Sequence, residues 1–202
     1  MGRIMIINGS PRAPRSNSRR YAEIFARHCG ATTISRHITR TNHLELCAEA
    51  GTVDDLLLVF PLYADALPVT LLDFLKTLEA YPPARKPTVS VLINCGFLEH
   101  GQNEVAVDMV RLFCRRNGYA MGSVLMLGSG EAILKTPFSY IATRSIRKLA
   151  RSMERGQYAT IRATMPLTKR LFVVAADIYW RLYGRKFGTG KRQMQTLLIE
   201  GR

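Results

Sequence analysis

The chain has 202 residues, 47% hydrophobic and 22% charged, the balance of an ordered globular protein with room for one domain and not comfortably for two. Its formal net charge is +14, unevenly placed: residues 1–143 carry 15 Lys/Arg against 12 Asp/Glu, residues 144–202 carry 14 against 3. Cys29, Cys47, Cys95 and Cys114 form no Cys-x-x-Cys pair, which argues against zinc and iron–sulfur sites, so no metal is expected.

The opening, MGRIMIINGS, is apolar over too few residues for a signal peptide or a membrane span, and a cytoplasmic location is the default expectation. Ile4–Ile7 reads as a buried parallel strand stopped by Asn8-Gly9-Ser10-Pro11. Asn17–His28 follows with Tyr21, Ile24 and Phe25 at helical spacing, capped by Ser16 or Asn17. A weaker strand is expected at Thr32–Ile38. Asp55–Phe60 is an apolar strand ended by Pro61, and Val69–Leu78 a helix with Leu71, Leu72, Leu75 and Leu78 on one side. Thr88–Ile93 is a further buried strand, Glu104–Arg116 a helix, and Ser123–Leu127 a fifth strand closed by Gly128-Ser129-Gly130. Phe138–Glu154 is helical and strongly basic.

Strands alternating with helices predict an α/β fold: a doubly wound five-stranded parallel sheet with helices on both faces. The alternation stops at Met165. Residues 1–165 are expected to form the main domain and 166–202 a basic, aromatic helical extension packed on that domain or on a dimer partner. The stretch Leu167–Phe187 could pack on its own domain or a partner subunit, close over a bound ligand, or lie on an anionic membrane surface; its apolar positions nearly circle the helix over two turns, which favours burial in protein. The basic C-terminal part could also attract nucleic acid or phosphorylated substrates, or be a solvated face.

In open α/β sheets ligands bind beyond the carboxyl ends of the strands. Those loops here are Asn8–Ser18, Pro61–Leu67, Asn94–Gln102 and Gly128–Ile133. The first, NGSPRAPRSNS, offers three hydroxyls, the Asn17 amide and the guanidinium groups of Arg12 and Arg15 at a helix start, where free N–H groups and the dipole favour an anion. A phosphate monoester suits it, and it matches neither a P-loop nor a GxGxxG turn. A loop that merely caps its helix is the alternative.

An apolar strand, then GSPR, then Ser-Asn-Ser at the next helix start resembles the NAD(P)H-dependent FMN reductase family of the flavodoxin-like superfamily. FPLYADALPVTLLDFL and NCGFLEHGQNE resemble that family's segments on either side of the flavin, so the likeness spans about residues 3–135. It implies that Ser10, Arg12, Ser16, Asn17 and Ser18 hold the FMN phosphate. Pro61, Leu62, Tyr63 and Ala64 would line one side of the flavin rings, and Asn94, Cys95, Gly96 and Phe97 the opposite edge. Tyr63 could instead be a core residue. Glu99, His100 and Glu104 could be acid–base groups or a solvated loop, and Cys95 reads best as a packing cysteine. No protein group is assigned a catalytic role, because the flavin carries the chemistry.

The implied function is an FMN-dependent oxidoreductase with NAD(P)H as co-substrate and a quinone, nitro or azo compound, or flavin as small-molecule acceptor. The alternative is a flavodoxin-type electron carrier, against which the basic charge argues. A homodimer is expected from the resemblance and from Phe172, Ile178, Tyr179 and Trp180 needing cover. No nucleic-acid partner is expected.

Overall fold

The computed structural model describes residues 2–13 and 15–195, in two compact units, residues 1–165 and 166–202. In the first unit the strands are β1 (Arg3–Asn8), β2 (Thr32–His37), β3 (Asp55–Pro61), β4 (Thr88–Asn94), β5 (Met121–Leu127) and β6 (Thr160–Ala163). They form one parallel sheet in the order β2-β1-β3-β4-β5-β6. The sheet therefore has six strands where the sequence pattern indicates five. The sixth, TIRA, is a four-residue edge strand whose burial rises only at Ala163, so it shows no apolar run. What makes it a strand is its ladder to β5, from Val124 opposite Thr160 to Leu127 opposite Ala163.

The central strands are buried on both faces, in keeping with their largely apolar sequences. Met5, Ile7, Leu56, Leu58, Phe60, Val89, Val91 and Ile93 point to one side. There they pack with helices α2 (His43–Ala50), α3 (Val69–Ala80) and α4 (Glu104–Asn117). Alternate residues point the other way, and on that side α1 (Asn17–His28) packs beside α5 (Ser139–Glu154). Buried Tyr21 and Phe25 come from α1, and Ile146, Leu149 and Met153 from α5. The helix α2 is too short, at eight residues, to show a clear period, yet it buries Leu46, Cys47 and Ala50. The helix α4 ends on Gly118 in the left-handed region at φ 67, a conformation open to glycine without steric cost.

The second unit holds α6 (Lys169–Arg185) and the single turn α7 (Lys191–Met194). Thr168 caps α6 by accepting a bond from the Leu171 amide. Among the described residues no helix is long and apolar enough to cross a membrane.

Candidate functional site

The strand order reverses between β1 and β3, which opens a crevice above their carboxyl ends. A cavity of about 770 Å³ lies there. The β1–α1 loop contributes Ser10, Arg12, Arg15, Ser16, Asn17 and Ser18 to its lining. The loops after β3 and β4 contribute Pro61, Leu62, Tyr63, Asn94, Cys95 and Gly96, and the segment after β5 contributes Glu131 and Lys135. Of the sequence-derived site residues all but Ala64 and Phe97 line this one cavity. Arg19, Arg20, Glu23, Glu131 and Lys135 also line it and carry no motif signal. The first three follow from extending the loop by two turns of α1.

The β1–α1 loop lines the cavity with hydroxyls and cations. Ser16 caps α1, its backbone extended at φ −133, ψ 157 and its hydroxyl oxygen accepting from the Arg19 amide at 3.1 Å. The Ser10 hydroxyl oxygen accepts from the Arg12 amide at 3.3 Å, and that of Ser18 from the Asn94 amide group at 3.3 Å. With each oxygen already accepting, the hydroxyl hydrogens are the groups left for an incoming acceptor. The first turn of α1 holds no acid, and Arg19 and Arg20 stand beside it with Arg12 and Arg15. Cations at the positive end of a helix dipole oppose it unless an anion binds between them. The Arg19–Glu23 pair, at 2.8 Å and exposed, offsets only part of this charge.

The loops are tied to one another at their bases. Asn94 donates to the Phe60 carbonyl at 3.1 Å as well as to Ser18, and the Leu62 amide donates to the Asn94 carbonyl at 2.8 Å. The Asn17 side chain donates to the carbonyls of Gly130 and Glu131, both at 3.2 Å. It clamps α1 to the loop after β5, leaving its own backbone amide at the helix start. Tyr21 joins the clamp by donating to the Gly130 carbonyl at 2.6 Å, and burial pushes its phenol well above its ordinary value. Gly130 has to be glycine: a Cβ there would lie 2.7 Å from the Cβ of Asn94.

The lining from the segment after β3 is less polar. Pro61, Leu62 and Tyr63 form it, and Tyr63 is 40% exposed, so it is not a core tyrosine. Tyr63 and Ala66 exchange backbone hydrogen bonds at 3.1 and 2.9 Å around a two-residue turn. Both turn residues have positive φ, Ala64 at 45 and Asp65 at 58. This is a primed turn made without glycine or asparagine, and the strain is held at the cavity rim. Ala64 thus shapes the rim and lines nothing. Phe97 is 54% exposed and contributes its carbonyl, which accepts from the Ser129 amide.

Cys95 is buried, and its thiol contacts the carbonyl oxygens of Phe97 and Glu99 at 3.8 and 3.7 Å. Burial raises its pKa, so the sulfur stays protonated and organises its loop, in keeping with a packing role. Glu104 is engaged by Arg162 of β6 at 3.0 Å. Glu99, His100 and Glu104 are outside the cavity lining.

No family profile and no curated protein matches the sequence. Solved structures do match. The chain is similar to an NAD(P)H:quinone oxidoreductase from Methanothermobacter marburgensis, at 18% identity and a TM-score of 0.61, over 76% of this chain and 96% of that one. It is similar to an FMN-dependent NADH-azoreductase from Bacillus anthracis, solved in complex with FMN, at 13% identity and 0.57, over 75% and 99%. A flavodoxin from Streptococcus pneumoniae TIGR4 matches at 16% identity and 0.57, over 76% and 99%. Identities this low establish the fold, which is flavodoxin-like.

Proposed function

We propose that the cavity holds FMN and that the protein is an FMN-dependent NAD(P)H oxidoreductase serving a small-molecule acceptor such as a quinone, a nitro or azo compound, or a flavin. The observation that carries this reading is the polarity of the single cavity at the strand-order reversal. The β1–α1 loop brings hydroxyls, cations and helix-start amides to the lining, and the segment after β3 brings Pro61, Leu62 and Tyr63. A phosphate monoester attached to a planar ring system has that division.

When bound, FMN supplies the redox chemistry, accepting a hydride from NAD(P)H and returning the electrons to an acceptor. The residues of the chain bind and orient. Ser10, Ser16 and Ser18 donate hydroxyl hydrogens to the phosphate, and Arg12 and Arg15 balance its charge. The first-turn amides of α1 point at the same group. The Tyr63 turn and the Asn94–Gly96 segment bound the ring end, held by the Leu62–Asn94 hydrogen bond. The names of the similar solved structures, reductases among them, agree with this reading.

The test is a visible absorption spectrum of the purified protein together with titration by FMN, FAD and riboflavin. FMN is expected to bind tightest. Ser10→Ala and Ser18→Ala are each expected to weaken it about tenfold, the worth of one hydrogen bond to a charged group. Equal affinity for riboflavin and FMN would overturn the phosphate assignment. The second reading, a flavodoxin-type carrier, is favoured by the pneumococcal match at a similar TM-score. Steady-state NADPH oxidation with an artificial acceptor separates the two, because a carrier needs a separate reductase.

A further inference from the structure

The helix α6 is aromatic and apolar over most of its length. Its pattern of apolar residues suggests burial, yet among the described residues it has none that is buried. Leu171 is 58% exposed, Ile178 52%, Leu182 56% and Trp180 48%. At 100° per residue Arg170, Asp177, Arg181 and Arg185 fall on one stripe, which Val174 shares, opposite Phe172, Tyr179 and Tyr183. Apolar side chains take most of the remaining circumference, interrupted by the long-stemmed Lys169 and Lys186. The rings of Tyr179, Trp180 and Tyr183 cluster, with centroids 5.2 to 6.0 Å apart.

Charge decides between the occupants of such a face. Residues 166–202 carry 8 Lys/Arg against 2 Asp/Glu, and residues 1–165 carry 21 against 13. A second copy of the chain would set one cationic surface against another. The single acid of α6, Asp177, is already paired with Arg181 at 3.3 Å. An anionic bilayer is complementary to the cations. It also accepts a wide apolar arc, and Trp and Tyr settle at headgroup depth.

We propose that α6 docks in the plane of an anionic lipid surface, its Phe172, Tyr179, Trp180 and Tyr183 side in the acyl boundary and its Arg170–Arg185 stripe among the headgroups. The helix lies on the membrane and does not span it, in line with the absence of a spanning helix among the described residues. This inference is independent of what the cavity binds.

The chain has one tryptophan, Trp180, so its fluorescence reports on α6 alone. The full-length protein is mixed with phosphatidylglycerol/phosphatidylcholine vesicles and, separately, with pure phosphatidylcholine vesicles. The expected result is a blue shift with the anionic vesicles, quenched by brominated acyl chains and largely lost near 1 M salt, where the screening length falls to about 3 Å. The Arg170→Glu/Arg185→Glu variant is expected to lose about tenfold or more of its vesicle-bound fraction, since each cation near the surface counts. Unchanged emission with anionic vesicles overturns the proposal, and so does equal binding to neutral ones. An emission shift that follows protein concentration without lipid, with a dimer in light scattering, assigns the face to a second copy and also overturns it.

Discussion

At the scale of single residues, strain and unpaired polar atoms mark where the fold gives up stability. Asp55 begins β3 with one carboxylate oxygen buried and without a hydrogen-bond partner. Burial, and then the neighbouring Asp54 charge, raise its pKa to about 6. The folded state therefore holds a proton that the unfolded state has lost between the ordinary carboxylate value and about 6, and stability falls as pH rises through that window. Asp55→Asn is expected to raise the urea midpoint at pH 7 to 8 and to change it little below pH 4. A midpoint shift that is equal at both extremes would refute this. Ala64 at positive φ gives a second case. Ala64→Gly is expected to raise stability by about 0.5–1 kcal/mol in denaturant unfolding, because glycine occupies that region freely. Tyr21→Phe removes the phenol that donates to the Gly130 carbonyl. The expected cost is about 1 kcal/mol, held down by the Asn17 bond to the same oxygen.

Among the elements, β4 and β5 meet through an irregular register between Val89 and Val91. There the Ser123 amide donates to the Ser90 hydroxyl at 3.0 Å. Gly122 passes so close that a Cβ would run into the Ser90 hydroxyl, and it would lie 3.0 Å from the Thr88 methyl. Gly122→Ala is expected to cost about 1–3 kcal/mol in urea unfolding, the range for overpacking a filled interior. The edge strand β6 is held by its ladder and by the exposed Arg162–Glu104 pair. Such pairs contribute little, so Arg162→Gln should leave the melting temperature nearly unchanged. A large drop would mean that the pair anchors the edge.

For the whole molecule, every residue lining the large cavity belongs to residues 1–165. If the cavity holds FMN as proposed, truncation after Met165 is therefore expected to leave a folded protein with the FMN affinity of the full chain, measured by titration and circular dichroism. Loss of flavin binding on truncation would give the second unit a role in the site.

Much of this was legible in the amino-acid order. Ile4–Ile7 and Leu56–Phe60 are unbroken apolar runs and Val89–Ile93 is interrupted only by Ser90, each ended by Pro or Asn, the pattern of a strand buried on both faces. Ser16 as the cap of α1 was legible too, since turn and capping chemistry is local. What was settled only in three dimensions depends on partners distant in sequence. The strand β6 exists through β5, and Asn17 meets Gly130 across 113 residues of chain. Arg20 and Lys135 become site residues only when α1 and the segment after β5 come to one crevice. The wide apolar arc of α6 reads as core in sequence, because periodicity reports which side chains need cover and not what covers them. The exposure of that arc comes from tertiary structure alone.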